Sequence, residues 1–560
     1  MNIVKKIISV FTIILLGLAI RLLGINWDQG TFLHPDERFL VMVVQELDMP
    51  ESLADYLSLE SPLQIRNTKH SFYVYGSFPI VLIKTLSNFF LEKESFKTIT
   101  FLGRIVTIIL ETGIIFLVFK LAEFFTKKYK LPKNTPLWSI LFYSFSVLPI
   151  QLSHFFTVDP FTTFFLLLSL VLISKLENRS KIIWTILSGV SWGIAISSKA
   201  TAIFWAPLLA FFILYLTIDQ EKNVLKIIRK VLSLGIIFTI SSYLSIRFFN
   251  PEYFSNASWI NLNVSPEFLR SLETLKSWSN ENTWFPPSMQ WLNRKPIIFS
   301  LKNIFFFGLG IWQSIFVVLG LFWVATKKTK SLMLTTSIWM TGFVVWQGSQ
   351  FVQSLRYFYF LYPLFAIFGA IGVSTIQQNK LFKKHSYTFT ILIISLVIIW
   401  PLMFIQIFLT DHSRVQATHW MRESIPENSS LVYEYWDDAL PLSYAPGKNI
   451  SFPTEHIPMF DKDSEKKWEE INEILGSADY YIISSNRVWS SIMRLPERYP
   501  TTSRFYSDLF LDKTDYSLIK VFKSEPSLDW LGFDLSLNDQ WAEEAFTVYD
   551  HPTVYVFRKK

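Results

Sequence analysis

The 560-residue chain contains no cysteine. Disulfides, thiolate metal sites and cysteine nucleophiles are therefore excluded. Charge is scarce: Asp, Glu, Lys and Arg make up 17% of the residues, against about 25% in soluble domains. No glycine-rich phosphate loop, internal repeat or low-complexity run is present. The chain is instead 51% hydrophobic and 17% aromatic. That balance fits a multi-span membrane protein with a soluble part attached. The net charge of +7 would also suit a nucleic-acid binder, so the placement of the charge has to decide.

A transmembrane helix needs about 20 mostly apolar residues. Eleven such stretches are expected, at 7–25, 103–121, 135–153, 160–175, 182–197, 200–217, 231–248, 304–325, 331–347, 357–376 and 387–409. The first has no small-residue cleavage site after its apolar run, so it reads as a retained anchor. Alternate loops are basic: Lys5 and Lys6; Lys127, Lys128, Lys130 and Lys133; Lys175, Arg179 and Lys181; Lys222, Lys226, Arg229 and Lys230; Lys327, Lys328 and Lys330; Lys380, Lys383 and Lys384. With eleven spans all of these face the cytoplasm. The positive balance is then a matter of topology, and no nucleic-acid partner is expected. The long segments 26–102, 249–303 and the tail from 411 fall on the opposite face. Residues 72–90 are apolar but carry Pro79 and Lys84. They are expected to lie in the interface as a helix, aromatics inward and polar residues outward.

The tail, 411–560, is richer in Asp, Glu, Ser and Tyr and reads as a separate extracytoplasmic α/β or α+β domain. Strands are expected at 430–434, 478–484 and 553–557, and short helices at 463–475 and 488–495. The fold class is thus a polytopic α-helical membrane protein, residues 1–410, with a C-terminal soluble domain. Its expected location is the bacterial plasma membrane, with the chemistry and the tail outside the cytoplasm.

The most informative string is His34-Pro35-Asp36-Glu37-Arg38, at the start of the first outer loop. It is a good helix start, with proline at the first helical position and acids in the first turn. A helix start also holds a carboxylate rigidly, and an aspartate there can serve as general base to an acceptor hydroxyl. Further polar residues reach the same face: Arg104 in Gly103-Arg104-Ile105-Val106, His154 and Asp159 around the third hairpin, Lys199 between spans five and six, and Arg356 with Tyr357 opening span ten. Each has an ordinary explanation. Arg and Lys near helix ends snorkel to headgroups, and Asp159-Pro160 suits a helix cap. Their gathering on one face points further. Cations facing a carboxylate pair suit a reaction with an anionic leaving group such as a phosphate.

Glu111 lies midway along span two, where an ionised carboxylate is costly. It is expected to be protonated or paired with a cation on a neighbouring helix. The loop at 249–303 carries Trp284, Trp291, Arg294 and Lys295. Its aromatics suit an interfacial belt, or else a sugar or lipid groove with Arg294 and Lys295 near the phosphate. His412, His419 and His456 are too scattered for a metal site.

The order of these motifs resembles the GT-C membrane glycosyltransferases, above all the protein O-mannosyltransferase-like and aminoarabinose-transferase-like group around family 39. The features are the Asp36-Glu37 pair, Gly103-Arg104-Ile105-Val106, His154-Phe155-Phe156-Thr157-Val158-Asp159-Pro160, Lys199, and Arg356-Tyr357 with the later Tyr362-Pro363. The resemblance covers residues 1–410. It implies inverting transfer of a sugar from a polyprenyl-phosphate carrier to a hydroxyl acceptor on a protein, lipid or glycan. It implies Asp36 as the base and Glu37 as its neighbour. Arg104, Lys199 and Arg356 become candidates to hold the lipid phosphate, with Tyr357 and Arg294 on the substrate side, and His154 and Asp159 shaping the pocket. No nucleotide sugar or other cofactor is implied, and a divalent metal, used by some distant relatives, finds no clear ligand set. The tail differs from the eukaryotic mannosyltransferases, so the acceptor does not carry over. A flippase of lipid-linked sugars is the alternative outside enzymes, but the chain lacks the paired repeats and midplane polar groups typical of transporters. A glycan ligase or oligosaccharyltransferase is the alternative within them.

Overall fold

The structure is a computed structural model. It describes all residues except 1, 2, 71, 178, 179, 328–330, 380, 381, 383, 384, 448 and 449. Of the basic-loop residues, Arg179, Lys328, Lys330, Lys380, Lys383 and Lys384 lie outside the described residues, as do the side chains of Lys5 and Lys6.

The first three-quarters of the chain is helical. Among the described residues six helices are long and apolar enough to cross a membrane, or eight if each of two bent pairs counts as one span. The count of eleven is therefore not confirmed. The stretch expected as one span at 304–325 is broken. Ile298–Gly308 meets Ile311–Thr326 at 118°. Gly310 makes the turn at φ 83°, and a Cβ there would lie 2.6 Å from the Trp400 ring.

The segment expected to lie in the interface forms the helix Phe78–Phe90, with Pro79 in its first turn. Its facing matches the expectation only in part: Phe78 is buried and Thr85 and Asn88 are exposed, but other residues turn the opposite way. Lys84 and Ser87 are buried, whereas Phe89 is 80% exposed and Phe90 is exposed beside it. The cause is Glu94, which accepts from Lys84 Nζ at 2.8 Å and Ser87 Oγ at 2.6 Å and turns the polar side inward.

The tail builds a five-stranded sheet from β1 (Leu431–Glu434), β2 (Thr454–Ile457), β3 (Tyr480–Ile483), β4 (Tyr516–Phe522) and β5 (Val554–Lys559), in the order β2-β1-β3-β5-β4. The pairs β2/β1 and β1/β3 are parallel, and β5 runs antiparallel to β3 and β4. β1, β3 and β5 lie where strands are expected, and the helices Glu465–Ser477 and Arg487–Ile492 lie close to the expected ones. The chain turns from helical to sheet-bearing just after the helix Ser386–Leu409. One apolar core nevertheless runs across that point, joining Phe404 and Phe408 to Phe546, Leu431 and Ile482. This packing holds the sheet against the ends of the helices.

Candidate active site

The helix Pro35–Glu46 starts as its sequence requires. His34 caps it, its Nδ1 accepting from the Glu37 amide at 3.3 Å. Successive residues on a helix diverge by about 100°, so Asp36 and Glu37 point to different places.

Asp36 faces the helical bundle and forms an ion pair with Arg356 Nη1. Arg356 lies in the 3-10 turn Leu355–Leu361. Its Nη2 and Nε also donate to Asp159 Oδ2, at 2.8 and 3.2 Å. The other oxygen of Asp159 accepts from Lys199 Nζ at 2.8 Å. Lys199 sits in an extended link between the helix Lys181–Ser198 and the 3-10 turn Ala200–Trp205. Its ammonium lies 5.0 Å from the centre of the Tyr357 ring. Five of the expected residues are thus brought together from four separate segments. Two carboxylates face two cations. The Asp159 side chain is 3% exposed and that of Asp36 31%, so the cluster opens on the Asp36 side. Burial pushes the Asp36 carboxyl up, but Arg356 and then His34 outweigh it and hold it below the usual carboxylate range.

Glu37 points into a second, closed cluster. Arg104 gives Nε to Glu37 Oε1 at 2.9 Å and Nη2 to Oε2 at 2.6 Å. It gives Nη1 and Nη2 to Asp28 at 3.1 and 2.8 Å, and Nη1 to the Ile25 carbonyl at 2.8 Å. A guanidinium has five N–H donors, and all five are engaged here. The Phe156 amide completes Glu37 at 2.8 Å. The expectation that Arg104 holds a phosphate and that Glu37 shares the pocket of Asp36 is corrected. Both are buried and consumed by a clamp that ties the segment 25–37 to the helix Phe96–Tyr129.

His154 is also placed differently. Its Nδ1 lies 2.8 Å from the Ile150 carbonyl and its Nε2 2.8 Å from the Leu23 carbonyl, and its ring stacks on Phe408 at 3.8 Å. It is part of a packing seam and does not wall the pocket. Arg294 donates Nε to the Gln290 carbonyl at 3.0 Å and lies 4.5 Å from the Phe299 ring. It lines a cavity of about 650 Å³ with Gln353 and Arg498, and among its described contacts none is with Asp36, Asp159, Lys199 or Arg356. Glu111 is paired, as one of its two expectations had it. Arg21 donates at 3.2 and 3.3 Å, and Tyr143 and Tyr359 add their hydroxyls.

Several residues at the site were not expected. Tyr75, half-buried, lies within the field of Asp36, Arg356 and Asp159. The next residue, Gly76, donates its amide to the Ser198 carbonyl at 3.0 Å, and a Cβ there would strike the Ser197 carbonyl at 1.9 Å. Only glycine permits this approach of the Tyr75 loop to Lys199. From the tail, Tyr549 packs against His34 with ring centres 4.7 Å apart and planes tilted by 52°. It lines, with Pro35, Arg38, Arg414, Trp436 and Arg487, a cavity of about 210 Å³ beside the Asp36 helix. Arg38 and Arg414 both pair with Asp438, at 2.8 and 2.7 Å. Nothing in single tyrosines of an aromatic-rich chain marked these out. Among the described residues no group of three or more His, Asp or Glu could hold a metal ion.

Comparison with known proteins bears on this geometry. Residues 96–246 match the family model described as dolichyl-phosphate-mannose-protein mannosyltransferase. The matched segment carries Arg104, His154, Asp159 and Lys199 of the motifs above. No curated protein matches the chain. Among solved structures, the archaeal oligosaccharyltransferase AglB from Archaeoglobus fulgidus, in complex with an inhibitory peptide and a dolichol-phosphate, is 13% identical, covering 96% of this chain and 75% of its own at a TM-score of 0.48. ArnT from Cupriavidus metallidurans is 11% identical, over 98% of this chain and 97% of its own, at 0.47. The S. cerevisiae protein O-mannosyltransferase Pmt1-Pmt2 complex, bound to the sugar donor, is 16% identical over 44% of this chain and 34% of its own, at 0.34.

Proposed function

We propose that this protein transfers a sugar from a polyprenyl-phosphate donor to an acceptor hydroxyl, with inversion, at the non-cytoplasmic face of the membrane. The observation that carries the reading is the Asp36–Arg356–Asp159–Lys199 cluster. It joins an ionised carboxylate to two cations at the end of the helical bundle.

In the transfer, the acceptor oxygen forms its bond to the anomeric carbon as the bond from that carbon to the phosphate oxygen breaks. The phosphate keeps the electron pair. Asp36 takes the acceptor proton as the new bond forms, and Arg356 beside it keeps the carboxyl ionised until then. Lys199 and Arg356 face the charge that builds on the leaving phosphate, where partial burial makes fixed cations effective. Asp159 keeps both cations aimed. Tyr357 and Tyr75 border the same space and offer hydroxyls to the phosphate. Arg104 and Glu37 act at one remove by fixing the helix that carries Asp36. The acceptor reaches Asp36 past the cavity bordered by Pro35, Trp436 and Tyr549, which gives the tail a part in acceptor binding.

The purified chain with a short-chain polyprenyl-phosphate sugar and candidate acceptors tests this. Release of polyprenyl phosphate with formation of a new glycoside supports the reading. Passage of intact donor across vesicles, without release, contradicts it and supports a flippase.

A further inference from the structure

The tail reads from its sequence as a soluble domain, yet one of its loops presents apolar side chains outward. Leu531, Phe533, Leu535 and Leu537 recur at every second residue, all exposed, Phe533 to 63%. The loop is ordered by its own bonds. Ser527 and Ser536 form an antiparallel bridge, Leu528 N donates to Leu535 O at 2.9 Å, and Leu537 N donates to Pro526 O at 2.9 Å.

Its position decides what covers it. Trp530 Nε1 donates to the Leu402 carbonyl at 2.9 Å, and the Ser527 amide to the Met403 carbonyl at 3.0 Å. Both carbonyls belong to the helix Ser386–Leu409, a candidate span. Leu402 lies seven residues before the end of that helix, about 10 Å along its axis at 1.5 Å per residue. The loop is therefore held alongside the shaft of a membrane helix, below its end. That end is on the same face as Asp36, since a Cβ on Gly24, at the end of the first apolar stretch that leads to Asp36, would meet Phe408. On the other flank, Trp541 packs on Phe307 at 4.3 Å and Phe306 at 5.3 Å, with Lys302 Nζ 4.3 Å from its ring. These residues belong to the segment Ile298–Gly308, which lies across the helix that follows it and exposes Ile298, Leu301 and Phe306. Ile391 and Ile399 on the span are exposed as well, like Ile298 on that segment. Tryptophans at such a boundary, with an apolar body and a polar N–H, suit the level of lipid headgroups.

We propose that residues 528–541 form a lipid-inserting hairpin that seats the tail on the bilayer beside the last span, Phe533 and Leu535 reaching among acyl chains. The covering partner is lipid, because the loop is hydrogen-bonded to the shaft of a candidate span and leaves its apolar side chains exposed beside it.

The absence of cysteine makes the test direct. Phe533→Cys and, separately, Leu535→Cys in the full chain each take a single environment-sensitive fluorophore. The labelled protein is placed in nanodiscs of phosphatidylethanolamine and phosphatidylglycerol, with or without doxyl-labelled phosphatidylcholine. Lys466→Cys, exposed on the helix Glu465–Ser477, gives the aqueous reference. The proposal expects blue-shifted emission at 533 and 535, quenching by doxyl lipid several-fold stronger than at 466, and little quenching by iodide. Strong iodide quenching without lipid quenching at 533 and 535 overturns it. Shielding from both quenchers also overturns it, and identifies a protein surface, such as a second copy of the chain, as the cover.

Discussion

Arg356 grips Asp159 through two donors of one guanidinium, Nη2 at 2.8 Å and Nε at 3.2 Å, while its third nitrogen turns to Asp36. One side chain therefore sets the distance between the proposed base and the carboxylate that aims Lys199. Replacing it with lysine keeps the charge and loses the fork. Arg356→Lys is expected to lower kcat/KM for the donor by about 10²-fold or more, with a smaller loss in thermal stability. Steady-state kinetics beside a melting curve checks both.

Lys199 has a narrower task. Lys199→Gln leaves Asp159 bound to Arg356 and removes one cation facing the phosphate. The expected result is a raised donor KM together with a lowered kcat, since the charge acts on both the bound and the leaving phosphate. Unchanged kinetics would remove Lys199 from the site.

Arg104 is expected to behave as a structural residue. Arg104→Ala strands Asp28 and Glu37 without their partner in a buried place, a loss of about 3–5 kcal/mol. The expected outcome is poor accumulation and a lowered unfolding temperature. A stable Arg104→Ala protein with only a raised donor KM would restore the phosphate-binding role that the sequence suggests.

The contrast between Arg104 and Lys199 shows what the sequence makes legible. Both are lone cations near the outer face of apolar segments, and that much selects them. Which way each points depends on contacts far along the chain. Arg104 meets Asp28 and Glu37 from the segment after the first helix, whereas Lys199 meets Asp159 from the neighbouring helix. Asp36 and Glu37 differ by one position, yet the helical turn sends one to the open cluster and the other to the closed clamp. In the tail, β1, β3 and β5 are legible because their residues are apolar and mostly buried. β2 and β4 lie at the sheet edges and are largely exposed, so they carry polar residues such as Glu455, His456 and Lys520 and no clear strand pattern. The break at Gly310 was hidden by apolar residues on both sides of it.

The tail is pinned to the helices by a titratable group. His551 sits between Asp539 at 2.9 Å and Asp550 at 2.6 Å, and Asp550 also receives Gln151 Nε2 at 2.9 Å. Burial pushes the imidazole down, but the two aspartates outweigh it and raise it to about 10. A raised folded-state pKa stabilises fully below the ordinary value of 6.5 and is lost as pH climbs through about 10. The unfolding temperature is expected to fall across that window. In His551→Leu the fall across the same window is expected to disappear, from a lower starting temperature.

The central claim is that Asp36 is the base of a sugar transfer. Its most direct measurement is single-turnover transfer by Asp36→Asn with a polyprenyl-phosphate sugar, alongside donor binding to the same preparation. The account predicts a rate reduced by about 10²–10⁴-fold with donor affinity changed little. Wild-type turnover by a well-folded Asp36→Asn protein would contradict it.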